Sequence, residues 1–195
     1  MRTRRGSGRR TGSRKLSWRN KAAGRSELSL PLQPSRGISV RPAWMDHADD
    51  WWRRGDAVAW DDRTPVGPEP YLALLERLLG LRRPVGSRSQ LVHGDLCGNV
   101  LFDRADRAVI IDFSPYWRPA EWASAVVAVD AYEWEEAGPD ALLWLDDVDP
   151  SRQLLVRAAI YRIATSAEIA LVRGFNHQKY RVHAATVDGL SGLIG

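Results

Sequence analysis

The stretch from Gln90 to Trp117, QLVHGDLCGNVLFDRADRAVIIDFSPYW, constrains the fold of this chain more than any other. Leu91 and Val92 predict a short strand, His93 to Asn99 a tight polar loop, and Val100-Leu101-Phe102 a second strand, together a small hairpin. Asp103 to Arg107 supply turn chemistry. Ala108 to Ile111 is a β-branched run too short for a helix, and it delivers Asp112 at its end. An acid and an amide in one loop, with a second acid at the edge of a following strand, are what phosphoryl transfer asks of a protein. One group serves as base beside an attacking hydroxyl, and the oxygen ligands hold Mg²⁺ on the phosphates. On that pattern Asp95 is the candidate base, Asn99 offers an amide oxygen to a metal, and Asp112 is the main metal carboxylate.

These residues resemble the aminoglycoside-phosphotransferase-like branch of the protein-kinase-like fold. The family's catalytic loop begins His-Gly-Asp and reaches an Asn a few residues later. An apolar strand and an Ile-Asp-aromatic metal motif follow. Here the equivalents are His93-Gly94-Asp95, Asn99, Val100-Leu101-Phe102 and Ile111-Asp112-Phe113. With Ser114 to Pro119 added, the likeness is closest to an actinobacterial subgroup, and it extends over roughly Arg41 to Gly195. The family places its Asn five residues after the Asp, whereas Asn99 is four after Asp95, so this loop is one residue shorter. The resemblance implies a mostly helical α+β fold, the C-terminal lobe of the kinase-like architecture around a small catalytic β-hairpin. It also implies ATP or GTP and Mg²⁺ as cofactors, a small-molecule alcohol as acceptor, and His93 and Gly94 as organisers of the catalytic loop.

Charge divides the chain at about residue 40. Residues 1–40 carry 11 of the 28 lysines and arginines but one of the 24 acids, Glu27, so the remainder is acidic and the basic balance belongs to a tail. Arg, Ser and Gly dominate that segment without helix or strand period, which predicts disorder. Its glycines lack the flanking strands of a phosphate-cradling loop. With only Trp18 for stacking, nucleic acid is not the expected partner. Its composition is also what a GC-rich gene yields outside its true reading frame. The single cysteine, Cys97, excludes an internal disulfide framework, suits a reducing cytoplasm, and is expected to pack rather than react. No run reaches the ~18 apolar residues of a membrane span.

Along the rest of the chain, Trp44, Trp51, Trp52 and Trp60 are expected to pack against the main body. Pro68 to Leu81 predicts a helix with Leu72, Leu75, Leu78 and Leu79 as its apolar stripe. Pro119 opens a helix that is apolar nearly all round, in which Asp130, if buried, needs donors, with the loop's backbone as one source. Glu121 in its first turn suits the helix dipole, and Trp122 stands about where the family has a bracing acid. A short apolar helix is predicted at Ala141 to Leu145. Ser151 caps a long helix with Val156, Ile160, Ile163, Ala164, Ala167 and Leu171 on its apolar face and Gly174 at its stop. A last helix spans Gln178 to Leu190, with His177 and His183 as surface or satisfied core residues.

The lysines are Lys15, Lys21 and Lys179, and no strand-rich stretch precedes His93. The expected organisation is therefore a tail at 1–40 and a kinase-like C-terminal lobe at 41–195 without its nucleotide lobe. That predicts a phosphotransferase-like protein weakly active or inactive alone, with a separate nucleotide lobe as one possible partner. The competing expectation is a non-catalytic binding module or pseudoenzyme whose basic tail contacts nucleic acid.

Overall fold

The computed structural model describes residues 14–15, 40–46, 49–104, 107–135, 137–145 and 151–194. Apart from Arg14, Lys15 and Val40, the segment expected to be disordered lies outside the described residues. The elements run β1 (Arg14–Lys15), α1 (Trp51–Ala59), α2 (Glu69–Leu81), β2 (Ser89–His93), β3 (Val100–Phe102), β4 (Ala108–Ile110), β5 (Pro115–Pro119), α3 (Ala120–Trp134), α4 (Ser151–Arg173) and α5 (His177–Ile194). Short 3-10 turns at Ala43–Asp46 and Pro139–Leu143 join them, the second standing where a helix from Ala141 was expected. The architecture is mostly helical α+β with two small antiparallel sheets. Among the described residues no helix is long and apolar enough to cross a membrane.

The long helix α4 is the axis of the molecule. It packs on α1, α2, α3 and α5, so it is buried on nearly every side and not along one stripe. Leu171, expected on its apolar face, is instead exposed. Gly174 ends the helix at φ +87°, the left-handed conformation that glycine adopts without a Cβ clash. Close approach of α1 depends on Gly55, where a Cβ would run into Thr165 Oγ1 and the Tyr161 carbonyl. On α2 the buried face is Tyr71, Leu74, Leu75 and Leu78, rotated from the predicted stripe so that Leu72 and Leu79 lie at its edge. Tyr71 supplies the reason: its ring packs on Phe175, Tyr180 and His183, anchoring that face toward α5.

The predicted hairpin is corrected in its pairing. β2 does not pair with β3; it runs antiparallel to β5, with Leu91 opposite Trp117 and His93 opposite Pro115. β3 pairs instead with β4, Val100 opposite Ile110, and with β1 on its other edge. The two sheets meet at the loop from His93 to Asn99 and the loop from Ile111 to Ser114. The tryptophans also divide. Trp60 packs at the core edge between the guanidinium groups of Arg118 and Arg157, 4.8 and 4.6 Å from its ring, whereas Trp44 is 55 % exposed and does not join the body.

Candidate active site

His93 ends β2 with its ring buried, and it joins the two loops. Its Nδ1 accepts the Asp95 amide at 3.0 Å, which places the neutral ring's proton on Nε2, facing the Ile111 carbonyl at 3.4 Å. Phe113 meets the same ring edge-on at 5.4 Å. Gly94 donates its amide to the Ser114 carbonyl at 2.9 Å, and a Cβ there would run into the Tyr116 ring. The loop carrying Asp95 and the loop carrying Asp112 are thus fastened by backbone and ring contacts, with glycine allowing the closest approach.

Asp95 is part-exposed, and its Oδ1 accepts from Arg162 Nη2 at 2.8 Å. Arg162 is the residue that periodicity alone did not single out. It sits in the middle of α4, 6 % exposed, and its guanidinium also grips Asp130 on α3 through Nε at 2.7 Å and through Nη2. Asp130, buried as the sequence allowed, finds its donors in a side chain of α4 and not in the loop backbone named as one source. Burial pushes the Asp130 carboxyl up to about 6 against the pull of Arg162. Burial likewise opposes the charge on Arg162, but the carboxylates around it outweigh that cost and hold it protonated. Asp130 stood out in sequence within an apolar helix, but α4 carries Arg157 and Glu168 as well, so nothing in the sequence singled out Arg162. Glu121, by contrast, makes no contact with the catalytic loop among the described residues, and Trp122 is fully buried against Tyr116, Tyr161 and Trp60.

Asn99 closes the loop by donating Nδ2 to the Asp95 carbonyl at 2.7 Å, with a longer contact to Asp95 Oδ2 at 3.4 Å. Donating the nitrogen in this way leaves Oδ1 without a hydrogen bond among the described residues. The Asn99 carbonyl accepts the Ile111 amide at 2.9 Å, which ties the amide to the residue before Asp112. Asp112 sits at φ +49° and is exposed, a left-handed conformation that short polar side chains tolerate. Its carboxylate has no hydrogen bond or ion pair among the described residues. One amide oxygen and one free carboxylate are hard donors of the kind Mg²⁺ takes when it keeps most of its waters and binds substrate phosphates. The donor types match that ion, although among the described residues no group of three or more His, Cys, Asp or Glu side chains could hold a metal.

Cys97 points its Sγ at the Val127 carbonyl at 3.8 Å. Burial, followed by the charge on Asp130, pushes its thiol well above the ordinary value, so it is a packing residue and not a nucleophile. Behind the loop, His183 is fully buried and satisfied, with Nε2 on Ser166 Oγ at 2.9 Å and Nδ1 on Glu133 Oε1 at 2.8 Å. His177 is on the surface. A cavity of about 180 Å³ opens beside Asp95, walled by Trp52, Trp134, Arg162 and Ser166.

Compared with known proteins, residues 24–116 match the model of the phosphotransferase enzyme family, a little under half of the chain. The matched span contains the whole loop system from His93 to Asp112 and begins upstream of the boundary expected at residue 40. No curated protein and no solved structure matches.

Proposed function

We propose that this protein is a phosphotransferase-like enzyme that moves a phosphoryl group from a nucleoside triphosphate to a hydroxyl of a small molecule, with Asp95 as base and Asn99 and Asp112 as metal ligands. The observation that carries this is the hold on Asp95. Arg162 occupies Oδ1, and Oδ2 is left beside the cavity with only the longer Asn99 contact. That arrangement suits a loose transition state in which the acceptor hydroxyl must be oriented early and need lose its proton only late. The acceptor oxygen would bond to the γ-phosphorus as the bond to the nucleoside diphosphate breaks, and the hydroxyl proton would pass to Asp95 Oδ2. When bound at Asn99 and Asp112, Mg²⁺ would neutralise charge on the phosphates. His93 would keep the two loops in register. The match of the phosphotransferase family over the same loops supports this reading independently of the geometry.

The test is transfer of labelled phosphate from ATP to a panel of hydroxyl compounds. Asp95→Asn is expected to lower the rate by about 10²-fold or more while leaving Mg²⁺-nucleotide binding in place, the usual size of a lost general base. Asp112→Ala is expected to remove the binding itself. Transfer that persists unchanged in Asp95→Asn would refute the assignment.

A further inference from the structure

A second cavity, of about 580 Å³, adjoins the one at Asp95, and Ser166 and Lys179 line both. The two differ in charge. Asp95, Asp130 and Glu135 face the smaller cavity, whereas the larger has Arg173, His177 and Lys179 and no carboxylate among the described residues that line it. Along α4, Arg162, Ser166, Ala170 and Arg173 follow one another at spacings of four, four and three, which puts them on one face. Lys179 and His183 run beside them one turn apart on α5. The two cavities therefore adjoin along one helix face, acidic at the catalytic end and basic at the other. From Ser166 to Arg173 it measures on the order of 10 Å at 1.5 Å per residue.

Lys179 is the key position. It makes no ion pair among the described residues, and its Nζ has the Trp134 ring as its neighbour at 5.5 Å. Burial lowers its pKa against the pull of the carboxylates of Glu133 and Asp130, which lie near it without pairing with it. Tyr71 and Phe175, 5.2 Å apart, give the same cavity an apolar wall for a carbon skeleton. A cationic acceptor would set its charge against Arg173 and Lys179, whereas an anion would be attracted by both.

We propose that the acceptor is an anionic hydroxy compound, with its hydroxyl at Asp95 and a carboxylate or phosphate held by Arg173, His177 and Lys179. The hydroxyl end of this proposal rests on Asp95 as the base; the anion site stands on its own residues. The test is a titration of the ¹⁵N-labelled full chain with inorganic phosphate, with glutarate and with putrescine as the opposite-charge control. Phosphate or glutarate is expected to shift the amides of residues 173–179 saturably, and putrescine is not. Arg173→Gln and Lys179→Gln should each weaken the anion about tenfold, the loss of one charge-assisted hydrogen bond, and the double variant should abolish binding. A response to phosphate alone assigns a phosphorylated acceptor, and one to glutarate alone a carboxylate acceptor. Absence of saturable shifts, or shifts unchanged in the double variant, overturns the proposal. Asp95→Asn should leave the anion titration untouched, so loss of the base assignment in the transfer assay and loss of the anion site here are read separately.

Discussion

Arg162 and Asp130 are buried together at the centre of the helical body, and such a pair is poor evidence of stabilisation because both charges lose their water. What the pair does is aim a third group: the guanidinium that grips Asp130 has one nitrogen left over for Asp95. Removing one partner leaves the other charged and alone. Arg162→Met should therefore cost about 3–5 kcal/mol in chemical denaturation, and adding Asp130→Leu should restore most of it. The double variant would be stable yet lack the grip on Asp95, so phosphoryl transfer should stay low, and recovery of transfer together with stability would rule out the positioning role. The same pair gives a pH dependence. With its folded value near 6 against 3.8 for the free side chain, Asp130 binds its proton more tightly in the folded state. Its protonation therefore adds stability that is fully present below about pH 3.8 and lost as the pH rises through 6. Measured from pH 4 to 7, the unfolding free energy of the wild type relative to Asp130→Asn should fall with rising pH and level off above 6. Asp130 was legible from sequence as a buried charge in need of donors. Arg162 was not, because the helical period marks apolar positions and passes over a cation among them.

At the scale of elements, α1 lies on α4 because Gly55 presents no side chain to Thr165 and the Tyr161 carbonyl. Arg54 and Arg63 reach Glu168 on the same helix, both at 3.3 Å. A methyl at residue 55 has backbone as well as side chain in its way, so α1 would have to move. Gly55→Ala should lower stability by about 1–3 kcal/mol, the range for overpacking, read as a lower denaturant midpoint with unchanged slope. A gain instead, as expected at an open helical glycine, would show that the contact is slack. Helices α2, α3 and α4 were readable from period and caps: Pro68 before α2, Pro119 before α3 and Gly174 after α4 stand where their chemistry predicts. The pairing of β2 was not readable. Its partner β5 begins and ends in proline and carries Arg118, which reads as loop, because prolines are tolerated only at strand edges and ends. What makes Pro115–Pro119 a strand is tertiary: Arg118 reaches Asp56 on α1 with two hydrogen bonds, at 3.0 and 2.7 Å, and Tyr116 is buried against Trp122 and Tyr161. The loops of the candidate site could be placed from their residue types, but the sheet that holds each of them could not.

Over the whole molecule, burial is distributed unevenly, and the candidate site lies on the boundary. Helices α1, α2, α3 and α5 enclose α4, whose residues from Leu154 to Glu168 are buried without interruption. The β3–β4 hairpin is the opposite case. Every residue of β4 is exposed, with Val109 and Ile110 more than half so, and Phe113 beyond it is 55 % exposed. Amide protection follows such differences, since a segment with few buried contacts opens without the rest of the protein. Hydrogen exchange should therefore find the middle of α4 protected to the limit of global unfolding, and β3–β4 exchanging by local opening at much lower free energy. Asp95 is clamped from the protected side by Arg162, whereas Asp112 follows the exposed hairpin and is tied to the body through the contacts of its neighbours, Ile111 with Asn99 and His93, and Phe113 with His93. A divalent cation held between Asn99 and Asp112 would bind the ordered form of that loop preferentially and so stabilise it by mass action. Adding Mg²⁺ with nucleotide should slow exchange in residues 108–113 and leave the centre of α4 unchanged. Equal slowing in both regions would show that the hairpin and the helical body open as one unit, and this division of the molecule would be wrong.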